Sequence, residues 1–148
     1  MKKRSILLLV LACALIITLT ACSNSAGIVY ENEQHGFNLT FPETWKDKYV
    51  IEENGRVVSV FHKDTKSEME GTGRLFDIYV YSREEWETEG KIISEIITLK
   101  IIEEDDQKVF ALGYPTDVQT IPGNNDLRDD YREMEQEIPD IIKTLTVK

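Results

Sequence analysis

The chain has 148 residues with 17 basic and 27 acidic side chains, a net charge of −10 at pH 7. An acidic surface of this kind repels phosphate backbones and anionic headgroups, which argues against nucleic-acid binding. Two cysteines, Cys13 and Cys22, limit what thiol chemistry or disulfides could do.

Lys2, Lys3 and Arg4 form a positive start, and an apolar run from Ile6 to Ile17 follows. That run suits the h-region of a signal peptide but falls short of the roughly 20 residues a stable span needs. It ends in Leu19-Thr20-Ala21-Cys22. This tetrapeptide resembles the lipobox of bacterial lipoproteins, with Cys22 at the cysteine of that pattern. The resemblance implies cleavage before Cys22 and lipidation of its thiol. Two acyl chains hold a protein on a membrane where one does not. Residues 1–21 are thus read as a lipoprotein signal peptide and 22–27 as a flexible tether, and 28–148 as one globular domain. Three of the basic residues and none of the acidic ones leave with the signal peptide, so the remainder carries 14 against 27, a net −13. With Cys13 removed and Cys22 consumed, the expected mature chain has neither a disulfide nor a thiol nucleophile. The expected location is the extracytoplasmic face of the cell membrane. Ser23, which is not the aspartate of an inner-membrane retention signal, favours a Gram-positive source.

Beyond the tether, Val29–Glu33 and Gly36–Phe41 read as two strands, the second alternating Phe37, Leu39 and Phe41 with polar residues. Pro42 ends it, and a helical turn carrying Trp45 follows. Asn54-Gly55 between two β-prone runs predicts a type I′ hairpin. Residues 64–73 read as a loop, and Leu75–Tyr81 as a central strand. Ser82 with Glu85 predicts a capping box and a short helix carrying Trp86. A strand is expected over about Ile96–Glu103, with a return strand over Lys108–Tyr114. Finally Asp126 is read as the cap of a long amphipathic helix, with Pro139 bending or interrupting it. The pattern predicts an α+β fold: one antiparallel sheet of about six strands flanked by helices.

At Gly36-Phe37-Asn38-Leu39-Thr40-Phe41-Pro42-Glu43-Thr44-Trp45 the chain resembles the opening of Mog1/PsbP-like domains. That resemblance implies an α/β/α sandwich and a non-enzymatic accessory role in binding protein partners. It carries over no functional residue.

His35 and His62 are the neutral-pH bases, and both are read as solvated turn or edge residues. No nucleophile elbow, metalloprotease helix or phosphate-binding loop appears. The clusters Glu103–Asp106 and Asp126, Asp129, Asp130 lack the ligand order of an EF-hand loop. No metal site, cofactor or catalytic residue is expected. Tyr79 and Tyr81 share one strand face, and with Trp86 they are the candidate partner-binding residues, provided that face is open. The expected function is a lipid-anchored binding or accessory lipoprotein with an unknown protein partner. The alternatives are a solute- or divalent-cation-binding lipoprotein and an envelope-polymer hydrolase using a carboxylate pair.

Overall fold

A computed structural model describes residues 27–148. The expected signal peptide, the lipobox-like tetrapeptide with Cys22 and all of the expected tether except Gly27 lie outside the described residues.

The alternation in the first segment does build a hairpin. β1 (Ile28–Asn32) pairs with β2 (Phe37–Phe41) from Ile28↔Phe41 to Asn32↔Phe37. Phe37, Leu39 and Phe41 point inward and are fully buried. Gly36 closes the turn at φ +73°, a conformation that costs glycine nothing. Pro42 leads into a 3₁₀ turn, Glu43–Trp45, that buries Trp45 completely. The indole is held there by Nε1–H, which donates to Glu137 Oε2 at 2.6 Å.

β3 (Tyr49–Asn54) and β4 (Val57–His62) form the next hairpin, with Asn54 opposite Val57. The turn therefore centres on Gly55 and Arg56, one residue later than the expected type I′ turn. Gly55 has φ +58° while Arg56 does not share it, the pattern of a II′ turn with glycine first. The expected loop after His62 begins instead as a helix, α1 (Lys63–Glu68), because the His62 side chain caps it. β5 (Arg74–Ser82) follows and is central, as its composition predicts.

Ser82 and Glu85 form the capping box expected of them. The helical run they start is longer than expected: α2 (Arg83–Glu85), a π-helical turn (Trp86–Gly90) and α3 (Lys91–Ile96). Ile92, Ile93 and Ile96 are thus helical, and the strand β6 begins only at Leu99 and runs to Glu104. β7 (Lys108–Gly113) returns beside it. The last helix, α4 (Asn125–Ile142), is capped by Asn124 rather than Asp126 and runs on through Pro139. β8 (Thr146–Val147) then pairs with β2.

The fold is α+β, with eight strands among the described residues in two antiparallel sheets of order β1-β2-β8 and β3-β4-β5-β7-β6. This corrects the single sheet of about six strands. The 3₁₀ turn and the left-handed Asp47 (φ 63°) separate β2 from β3, so the first hairpin lies against the larger sheet instead of extending it. Phe37, Phe41, Phe76, Phe110, Met134 and Ile138 fill the space between the small sheet, the large sheet and α4. Each such side chain contributes about 1.5–3 kcal/mol by leaving water. The helical run from Arg83 covers the other face of the large sheet at Tyr81, Val109 and Ala111. No helix among the described residues is long and apolar enough to cross a membrane.

Candidate functional site

The candidate aromatic residues sit on the outer face of β5 and on the helical run above it. Tyr79 and Tyr81 stack with centroids 6.3 Å apart and planes within 8°. Trp86 meets Tyr81 edge-on at 5.4 Å. Arg56 lies 4.7 Å over the Tyr81 ring and pairs with Glu85 at 3.8 Å and with Glu89. Tyr81 is 1% and Trp86 6% exposed. The face is therefore covered at Tyr81 and Trp86: the capping box turns the chain back over the sheet and sets Trp86 on Tyr81. Tyr79 alone of the three is half-buried rather than buried.

His62 is also unlike its expected solvated position, being 1% exposed. Its Nδ1 lies 2.6 Å from Thr65 Oγ1 and accepts from Thr65 N–H at 3.4 Å. Its Nε2 lies 3.0 Å from Asp130 Oδ2, while Lys48 Nζ donates to Asp130 Oδ1 at 2.6 Å. Hydroxyl, imidazole and carboxylate follow one another here in the order of a catalytic triad. A nucleophile must reach a substrate, however, and Thr65 is fully buried. The imidazole instead caps α1 and ties it to α4. Burial alone would raise the Asp130 carboxyl, but its bonds from Lys48 and His62 outweigh burial and hold it below its ordinary value. His35 is half-buried, with Nε2 2.8 Å from Gly55 O. Lys108 Nζ donates to His35 O at 2.7 Å, so this turn fastens the small sheet to two turns of the large one.

The acidic clusters are mostly spent locally. Asp105 accepts the backbone N–H groups of Gln107 and Lys108, each at 2.7 Å, and these bonds hold its carboxyl low. Glu104 pairs with Arg83 at 2.9 Å. Among the described residues no group of three or more His, Cys, Asp or Glu side chains is arranged to hold a metal ion.

A different surface stands out. β6 is an edge strand of the large sheet, so one row of its backbone N–H and C=O groups has no strand partner. Ile101 on this strand is 41% exposed, and Tyr114 just after β7 is 46% exposed. Between β6 and the end of α4 runs a groove of about 400 Å³, floored by Ile102, Leu112 and Ile142 beside Tyr114, with Lys100 and Lys143 at its rim. Burial pushes the Tyr114 hydroxyl up, with Glu135 adding to it.

No family model, curated protein or solved structure matches the chain. The site therefore rests on its own geometry.

The sequence predicts a strand over about Ile96–Glu103 but not that it ends the sheet. Edge position follows from the order β5-β7-β6, which is set by contacts far apart in the chain. Four consecutive acids after Ile102 were the available signal, since charge is a common device on edges and at their turns.

Proposed function

We propose that the protein is a lipid-anchored, extracytoplasmic accessory module that acts by protein–protein contact through the β6 margin. The observation that carries this reading is the coincidence of an unpaired edge, exposed Ile101 and Tyr114, and an apolar groove on one side of a strongly acidic domain. Exposed apolar surface beside an open edge is where strands and hydrophobic anchors of partners dock. The Leu19–Cys22 pattern supports the anchor. Residues 23–27 would then reach at most about 18 Å from the lipid, at 3.3–3.6 Å per residue. Gly27 enters β1 beside Phe41, at the end of the small sheet away from the turn that His35 fastens to Gly55. The membrane would thus lie at the Gly27 end.

The Mog1/PsbP-like reading belongs to the same proposal. It is supported by the burial of Trp45 after the Gly36–Pro42 strand and by helices on both faces of the large sheet.

Two measurements test the reading. Cys22→Ala should shift the protein out of the membrane fraction; membrane-bound mature protein of unchanged mass would refute the anchor. A photo-crosslinking amino acid at Tyr114, irradiated in intact membranes, should give a discrete protein adduct, whereas the same probe at Thr88 should not. Equal yields from both positions would refute the β6 margin as a contact surface.

A further inference from the structure

We infer that the occupant of the β6 margin is a second copy of this chain, paired antiparallel through β6. The inference rests on the β6 margin being a contact surface. It is argued from the charges along the strand. Lys100 lies opposite Leu112 and Glu103 opposite Phe110, with the register shift at Ile102 between them. Leu112 and Phe110 both belong to the main core, so Lys100 and Glu103 share one face of the sheet. Both are exposed, and neither takes part in an ion pair among the described residues.

Such a strand is complementary to itself when antiparallel and not when parallel in register. Laid parallel to a second β6, it sets lysine beside lysine and glutamate beside glutamate. Laid antiparallel about a two-fold axis between Ile101 and Ile102, it sets Lys100 opposite Glu103 of the partner subunit, twice. Opposite charges across strands stabilise a pair, and like charges directly opposite destabilise it. A two-fold contact uses the same patch on both copies, so one favourable pair becomes two. The two isoleucines fall at the centre, and the five-stranded sheets join into one. Two domains that each carry a net charge of −13 repel overall, and the paired lysines offset that repulsion where the chains meet. A bulge and an edge lysine are also devices that keep an edge strand single, so a monomer is the sharp counter-result.

The test uses the full chain in its own membranes and a water-soluble carbodiimide. This reagent condenses an ammonium with a carboxylate in contact, forming an amide while the reagent takes up the water as a urea. The expected product is a band of twice the monomer mass that yields a Lys100–Glu103 crosslinked peptide. Lys100→Glu alone and Glu103→Lys alone should each lower the dimer band at least about tenfold, because each removes one reactive partner and sets like charges opposite one another. The double variant Lys100→Glu, Glu103→Lys should restore it. Failure of the double variant to restore the band, or a chain that stays monomeric throughout, overturns the inference. If the chain stays monomeric while the Tyr114 probe captures another protein, the second copy is refuted and the contact surface stands. If neither reagent yields an adduct, both fall.

Discussion

His62 Nε2 lies 3.0 Å from Asp130 Oδ2 and joins the end of β4 to α4 across 68 residues of sequence. The carboxylate is the hub, since Lys48 reaches its other oxygen at 2.6 Å. Because its folded value is lowered, Asp130 binds its proton less readily in the folded state than in the unfolded chain. Its contribution is therefore fully present above the ordinary carboxylate range, near pH 4, and is lost as pH falls through the lowered value. Asp130→Asn should cost about 1–3 kcal/mol at neutral pH, the penalty of leaving buried His62 with a weakened partner. It should also flatten the dependence of stability on pH below about 4. Urea unfolding at pH 7 and pH 3 checks both; an unchanged acid slope would remove Asp130 as its source.

Gly90 sits in helical backbone, where alanine is ordinarily better by about 1 kcal/mol. Here a Cβ would press into the Trp86 ring, 2.9 Å from Cδ2 with Cε3 nearer still. Trp86 is buried and packed edge-on against Tyr81, so the ring has little room in which to yield. Overpacking of this kind costs typically 1–3 kcal/mol, which outweighs the propensity gain. Gly90→Ala should lower the melting temperature and shift the tryptophan emission to the red. A rise in melting temperature would mean that Trp86 is free to move, and that the outer face is more open than its burial indicates.

Two buried tyrosines should respond with opposite sign to losing their hydroxyls. Tyr131 donates to Arg74 O at 2.7 Å, and Tyr131→Phe should cost about 1 kcal/mol by leaving that carbonyl short of a partner. The Tyr81 hydroxyl is buried with no hydrogen-bond partner among the described residues. An unmet buried hydroxyl is a cost of about 1–3 kcal/mol, so Tyr81→Phe should be neutral to stabilising. Paired thermal melts of the two variants decide it. A loss at Tyr81 as large as that at Tyr131 would show that the Tyr81 hydroxyl has an acceptor.

The local elements were largely legible, because each is written in neighbouring residues. Ser82 with Glu85 specifies its capping box, and Phe37, Leu39 and Phe41 specify a half-buried strand. What escaped is what depends on distant partners. Ile96 suits the start of a strand by composition, yet the helix begun at Ser82 carries through it. His62 looks solvated beside Lys63, but Thr65 three residues on and Asp130 from the distant α4 close over it. Splitting the sheet in two was hidden for a different reason, since it turns on a left-handed Asp47 with no glycine to announce it. At the candidate site, Tyr81 and Trp86 carry the composition of an interface and are buried in packing, while the β6 margin owes its character to edge position.

Gly27 separates the folding of the domain from its attachment. A Cβ there would lie 2.8 Å from the Phe41 carbonyl oxygen and would run into the Thr40 methyl. The methyl can rotate away, but the carbonyl belongs to the β1–β2 hairpin and cannot. Gly27→Ala must therefore push the entry of β1 outward, and the bonds nearest the displaced residue are those between Ile28 and Phe41. The core side chains Leu39 and Trp45 are fully buried independently of that entry, so the loss should be local, about 1 kcal/mol and not global unfolding. Amide exchange should speed up at Ile28 and Val29 and stay unchanged at Ile78 and Phe110 in the central strands. Because the lipid is proposed to sit on Cys22, the variant should remain in the membrane fraction as fully as the parent. Release of the Gly27→Ala protein into the soluble fraction would mean that its attachment runs through the β1 entry and not through the lipidated cysteine.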